Sequence, residues 1–160
     1  MTANYTLSRN LSEIFARRVR KNLNFIIKER HQGEDVHEVT QLVISLLGII
    51  VFPWEANALS QLEEMNLHEL EAKGWPHWHI ILDTKGDTNT LYKLVRHLRN
   101  AASHRRLRFT SDHEDMNQVE IEFEDAPTKN SPPNWRARIN ASDLKTFCDY
   151  FTETLEDFVG

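Results

Sequence analysis

Residues 91–105 read LYKLVRHLRNAASHR, and the reading of this stretch decides the rest of the chain. Laid on a helix at about 100° per residue with Arg99 at zero, Leu91, Leu94, Val95, Leu98, Ala101 and Ala102 fall between about 200° and 320°. That is one apolar stripe, wide enough to face a core. Arg99, Ser103, Arg96, Asn100, Lys93, His104 and His97 fall between about 0° and 160°, so the polar groups share the opposite side. Thr88 or Thr90 supplies the N-cap and the pattern runs to about Arg105. Asn100 and His104 stand one turn apart, close enough for their side chains to touch.

Working outward, the other strong patterns are helical too. From Leu7 to about His31 the residues Leu7, Leu11, Ile14, Phe15, Val19, Leu23, Ile26 and Ile27 recur at steps of three and four, with Ser8 or Ser12 as caps. Gln32-Gly33 closes that helix. Asp35 then caps a second one, apolar nearly all round, which reaches about Phe52 before Pro53 stops it and belongs at the centre of a bundle. Glu55 to about Lys73 reads as a weaker, acidic helix. Residues 75–82, WPHWHIIL, read equally as loop or strand, and 83–89 as a turn. Gln118 to Glu124 alternates Val119, Ile121 and Phe123 with Glu120, Glu122 and Glu124, the period of a strand with one buried face. Trp135 to Asn140 is a second β-like segment, after a turn from Pro127 to Pro133. Ser142 caps a last helix carrying Leu144, Phe147, Cys148, Phe151, Leu155 and Phe158 on one side. The predicted fold is mainly all-α: a four- to five-helix bundle forming one domain over residues 1–160, with a small antiparallel β-hairpin (about 116–140) inserted before the last helix.

Composition sets the bounds. The 160 residues, 40% hydrophobic and 27% charged, have an ordinary globular balance with enough length for a core. One cysteine, Cys148, excludes an intramolecular disulfide and points to a reducing compartment. The first ten residues lack the apolar run of a secretory signal, and the most hydrophobic stretch, Val39 to Phe52, falls short of the ~20 residues that cross a bilayer. The expectation is a cytoplasmic protein with no membrane partner. Net charge is −5, which excludes wholesale coating of nucleic acid. Yet residues 96–108 hold five Arg and no acid, and residues 1–30 hold seven Lys or Arg against Glu13 and Glu29. A confined basic patch on an acidic body suits a phosphate-binding cleft.

The chemistry within 99–104 points the same way. An imidazole titrates near neutrality and can exchange a proton with a ribose 2′-hydroxyl or a leaving 5′-oxygen. A guanidinium offers a fixed fork of donors to a phosphate that gains charge in the transition state. Asn100 could orient His104 or bind a phosphate oxygen. His77 and His79 flank Trp78, but no third ligand is fixed by spacing, so no metal site is assigned. Trp54, Trp75, Trp78 and Trp135 read as core or interface residues. The acids of 120–124 read as a solvated edge, and Cys148 as a buried structural thiol. No phosphate-loop, nucleophile-elbow or Cys-x-x-Cys motif is present, and no cofactor is expected.

The run Arg99-Asn100-Ala101-Ala102-Ser103-His104 resembles the signature of the HEPN superfamily: Arg, a polar residue, then His after four to six intervening positions. Its setting fits, a late helix of a small helical bundle followed by a short insertion and one more helix. The resemblance implies metal-independent endoribonuclease activity in a homodimer whose two motifs share one RNA cleft. Arg99 would then stabilise the scissile phosphate, Asn100 would be the following polar residue and His104 the proton-transfer group, giving 2′,3′-cyclic phosphate and 5′-hydroxyl ends. Arg96, Ser103, Arg105 and Arg106 would bind substrate, with Arg108 extending the track. A toxin or antiviral-defence role follows from the same resemblance, with an antitoxin or regulatory protein as partner. Some HEPN toxins carry a Tyr two residues after the motif His, which a partner nucleotidyltransferase modifies; here that residue is Arg106. The rival reading is a non-catalytic HEPN-like dimer that binds nucleotide or a protein partner, and a third is a helical scaffold with no ligand site.

Overall fold

Thr90 ends an extended segment, and its hydroxyl accepts the amide of Lys93 at 3.4 Å to start a helix that runs Leu91–Ser103. In the computed structural model, which describes residues 2–55 and 59–158 (residues 2–10, 52 and 55 as backbone only), that helix is the fourth of five described α-helices. They are α1 (Thr2–His31), α2 (Glu38–Glu55), α3 (Leu67–Ala72), α4 (Leu91–Ser103) and α5 (Ala141–Asp157). Four strands complete the set: β1 (His79–Asp83), β2 (Leu107–Phe109), β3 (Glu120–Asp125) and β4 (Trp135–Asn140). The chain packs as two compact units, Met1–Ala58 with Leu144–Gly160, and Leu59–Asp143. The mainly helical expectation holds.

In the helical unit α1 and α2 pack on each other. Gly33, at a φ of +93°, makes the turn between them, a conformation that costs a residue without Cβ little. Ala16, Leu23, Leu42, Leu46, Ile49 and Ile50 are fully buried. Three boundaries differ from the sequence reading. Helix α1 already begins at Thr2, so Ser12 lies inside it, buried, and does not cap it. Helix α2 begins at Glu38, beyond Asp35, and continues through Pro53 to Glu55. Pro53 stands in the last turn, where its missing N–H removes one hydrogen bond without breaking those before it. Nor is α2 covered all round, because Ile44 is 56% exposed. On α5 the apolar residues Leu144, Phe147, Cys148, Phe151 and Leu155 are all buried, as their spacing predicts.

The other unit is built on a sheet. The expected hairpin strands do pair with each other, β3 with β4, but as the middle of a four-stranded antiparallel sheet in the order β1-β4-β3-β2. The ambiguous stretch 75–82 resolves into edge strand β1, which pairs with β4 and carries a register shift between Ile80 and Leu82. Three residues, Leu107–Phe109, form the other edge. Helix α4 packs on β3. Ile121, Phe123, Trp135 and Ala137 are fully buried, so the predicted alternation of β3 is realised. Of the acids on its other face Glu120 is exposed, as a solvated edge would be, but Glu122 and Glu124 are not. Glu122 pairs with Arg138 at 2.8 Å and Glu124 with Arg136 at 2.9 Å, each pair directly opposite in register. Cross-strand neighbours stand close enough for such charges to meet.

The expected acidic helix over 55–73 is interrupted. Residues 56–58 lie outside the described residues; a 3₁₀ turn covers Ser60–Glu64, and α3 is only six residues long. Asn66 separates them: its side chain accepts the amides of His68 and Glu69, and its backbone bridges Thr90. Bonds from Leu67 to Asn89 and from Leu91 to Met65 hold the backbone extended there. At the start of α5, Asn140 rather than Ser142 supplies the cap, accepting the Ser142 amide at 2.9 Å.

Candidate active site at the end of helix α4

Helix α4 stops at Ser103, and the way it stops sets His104 and Arg105. The Arg106 amide bonds the Ala101 carbonyl at 2.8 Å and the Arg105 amide bonds Ala102 at 3.2 Å. This pair of bonds is a Schellman motif, with Arg105 in the left-handed position that usually takes Gly. Arg105 has a φ of +56°, the one positive value at a non-glycine residue among those described. His104 is therefore the C-cap, tied through its own amide to the Asn100 carbonyl at 3.0 Å and exposed to solvent.

The side chains upstream form a chain of hydrogen bonds. His97 Nδ1 lies 2.7 Å from Asp125 Oδ2, and Asn100 Nδ2 donates to the same oxygen at 3.1 Å. Arg99 Nη1 in turn donates to Asn100 Oδ1 at 3.1 Å. The direction of the Asn100 amide is fixed by these two partners, since only its nitrogen can donate to Asp125 and only its oxygen can accept from Arg99. Asp125 thus reaches Arg99 through Asn100. The expected side-chain contact between Asn100 and His104 is replaced by a backbone bond, because the Asn100 side chain is engaged by Asp125 and Arg99.

Asp125 and His97 are both about 6% exposed. The His97 ring also stacks on Trp135, with centroids 4.6 Å apart and planes within 7°. Trp135 is held by its own indole N–H, which donates to the Thr88 hydroxyl at 3.1 Å. Burial pushes the Asp125 carboxyl up, but the bonds from His97 and Asn100, the charge of His97 and the Ala126 amide together outweigh it and hold the group below the ordinary carboxylate range. Asp83 behaves alike: burial raises it, while Thr88, Gly86 and the charge of His97 bring it lower.

The remaining sequence candidates divide by what holds them. Arg106 donates to the carbonyls of Thr128 and Lys129 at 3.1 and 2.8 Å, which ties the β3–β4 loop to the end of α4. Arg108 pairs with Glu124 at 3.5 Å. Arg105 and Ser103 are exposed beside His104. Arg96 is half-buried and lines a cavity one turn before Asn100. His77 pairs with Glu71 at 3.0 Å, and no cluster of three or more metal-binding side chains occurs among the described residues. Trp78 and Trp135 are buried, as core residues should be.

His97 and Asp125 are the residues that sequence reasoning missed. Asp125 had a signal: it continues the inward alternation of Ile121 and Phe123, and a carboxylate on a buried face needs partners. Nothing in spacing says that its partners sit on α4.

A family model described as HEPN pEK499 p136 matches residues 1–160. The chain belongs to this HEPN family. The match runs through both compact units and spans residues Arg99–His104. No curated protein and no solved structure matches the chain. Among the described residues no helix is long and apolar enough to cross a membrane. On α4, Arg99 is held by Asn100, the residue that follows it, and His104 stands in solvent at the helix end.

Proposed function

We propose that this HEPN protein is a metal-independent endoribonuclease in which Arg99 and His104 do the chemistry. The observation that carries the reading is the tethering of Arg99, whose guanidinium donates at 3.1 Å to an Asn100 amide itself fixed by Asp125. A guanidinium held in advance stabilises the charge that grows on a phosphate at little reorganisation cost. Arg99 binds the non-bridging oxygens of the scissile phosphate. The ribose 2′-oxygen attacks phosphorus as it yields its proton to an imidazole; the phosphorus–5′-oxygen bond breaks, and the 5′-oxygen takes up a proton. One His104 as base and a second as acid, from two subunits of a homodimer, satisfy both transfers. The products are a 2′,3′-cyclic phosphate and a 5′-hydroxyl. Arg105 and Ser103 flank His104 and extend the RNA contact. A toxin or antiviral effector in the cytoplasm, restrained by an antitoxin, is the setting that this activity suits.

The experiment is incubation of the purified protein with mixed RNA in excess EDTA, beside His104→Ala. Discrete cleavage with cyclic-phosphate ends, abolished by the substitution, is the expected result. A folded dimer that leaves RNA intact turns the reading to a binding module of the same fold. Cleavage that survives in His104→Ala removes His104 from the mechanism.

A further inference from the structure

A cavity of about 340 Å³ opens beside α4, lined by Asp83, Lys85, Arg96, His97, Asn100 and Asp125 and walled by 126–127 and Asn134. It is at the small end of ligand pockets, which span roughly 300–1,000 Å³, and is large enough for one nucleotide. Formal charges in its lining nearly balance, so the useful question is which groups are already committed.

The carboxylates are each already engaged on both oxygens. Asp83 accepts the amides of Gly86 and Thr88, each at 3.0 Å, one on each oxygen. Asp125 accepts His97 and Asn100 on one oxygen and the Ala126 amide at 2.8 Å on the other. The cations are not. Among the described residues neither Lys85 nor Arg96 has a hydrogen bond or ion pair, although the arginines of the sheet, Arg136 and Arg138, are both paired. The groups in this lining without a protein partner are therefore two cationic donors, which suit an anion. A guanidinium and an ammonium that line one cavity without a partner match the oxygens of a phosphate. The wall beside them is itself fixed: the Thr84 amide bonds the Asn134 carbonyl at 3.0 Å, the Asn134 amide bonds the backbone carbonyl of Asp125 at 3.0 Å, and Arg106 holds the loop at Thr128 and Lys129.

We propose that this cavity is a phosphate subsite, with Arg96 and Lys85 gripping a nucleotide phosphate of bound RNA other than the one that is cut. Asn100 joins the two sites, since its amide lines the cavity and holds Arg99 at the same time. The inference rests on the RNA-cleaving reading for the identity of its ligand, but not for the existence of the pocket. Filling it sets where along the strand the scissile bond falls.

The test uses the full chain, labelled with nitrogen-15, and three probes: a short 2′-O-methyl oligoribonucleotide that lacks the attacking hydroxyl, uridine 5′-monophosphate and inorganic phosphate. The oligoribonucleotide should shift the backbone amides of Gly86, Thr88, Ala126 and Asn134. The double variant Lys85→Ala with Arg96→Gln should weaken it roughly tenfold, the loss expected for charge-assisted hydrogen bonds. Lys85→Ala alone, at an exposed position, keeps the test free of folding effects, and Arg96→Lys should restore part of the affinity. If the monophosphate or phosphate binds there as tightly as the oligoribonucleotide, the phosphate site stands and its source is a free nucleotide. If no probe moves these amides, or if the shifts persist in the double variant, the subsite is overturned. Binding without cleavage of natural RNA would refute the nuclease reading alone, and cleavage without cavity shifts would refute the subsite alone.

Discussion

Replacing Asp125 by Ala should cost the protein about 2–3 kcal/mol at neutral pH, and the figure follows from three bonds. One carboxylate oxygen serves His97 at 2.7 Å and Asn100 at 3.1 Å, and the other serves the Ala126 amide at 2.8 Å. A buried donor left without an acceptor costs about 1–3 kcal/mol. His97 is 6% exposed, so water cannot replace its lost partner, and it should bear most of that range. Asn100 lines the cavity and Ala126 begins a loop, so water recovers part of theirs. Removing the charge also returns some of the desolvation cost of a carboxylate that is itself 6% exposed. Asp125→Asn keeps the shape but offers one oxygen to three donors, and about 1–2 kcal/mol should be lost. Urea unfolding followed by circular dichroism measures both. Paired with Asn100→Ala in a double-mutant cycle, Asp125→Ala should show a coupling of about 0.5 kcal/mol or more.

The same carboxyl makes a pH prediction. Its folded value is depressed, so its contribution is complete above the unfolded value of about 3.9 and drains away as pH falls through the lower folded value. The stability gap between the native chain and Asp125→Asn should therefore be flat from neutrality down to about pH 5 and close below about pH 4. A loss under about 0.5 kcal/mol for Asp125→Ala, additive effects in the cycle, or a gap that stays open into acid would each refute the reasoning.

Further predictions concern other parts of the chain. Burial pushes the Cys148 thiol up to about 12, so the folded protein should resist iodoacetamide at pH 8 and react only in denaturant; rapid alkylation of the native chain would contradict its placement. Arg105→Gly should stabilise by about 0.5–1 kcal/mol, because relief of a left-handed non-glycine residue exceeds the added freedom of the unfolded chain; a rise of roughly 1–4 °C in Tm checks it. Arg136→Ala should cost about 1–3 kcal/mol, since it leaves Glu124, whose side chain is 8% exposed, with only Arg108 at 3.5 Å. Arg17→Ala, which removes the exposed partner of a largely covered Glu13 on α1, should cost less than about 1 kcal/mol in the same urea assay.

What the sequence by itself determined was local. Apolar spacing of three and four marked α1, α2, α4 and α5, and the alternation around Ile121 and Phe123 marked β3, because each pattern repeats within a few residues and meets its own backbone period. The motif Arg99–His104 was legible for the same reason, as was the burial of Cys148. Boundaries were less so: α2 starts at Glu38 rather than after Asp35 and Asn140 rather than Ser142 caps α5, because capping residues that suit one position also suit its neighbours. Tertiary structure alone decided the rest. Edge strands β1 and β2 are short or irregular, and they are strands only because β4 and β3 offer them a ladder. Glu122 and Glu124 became paired rather than solvated once register set Arg138 and Arg136 opposite them. His97 and Asp125 lie 28 positions apart, and no periodicity spans such a gap; only the packing of α4 on β3 brings the imidazole to the carboxylate and, through Asn100, fixes Arg99. Hydrogen bonds between distant residues depend on where two surfaces meet, and that is settled by the burial of Leu94, Leu98, Ile121 and Phe123 between them.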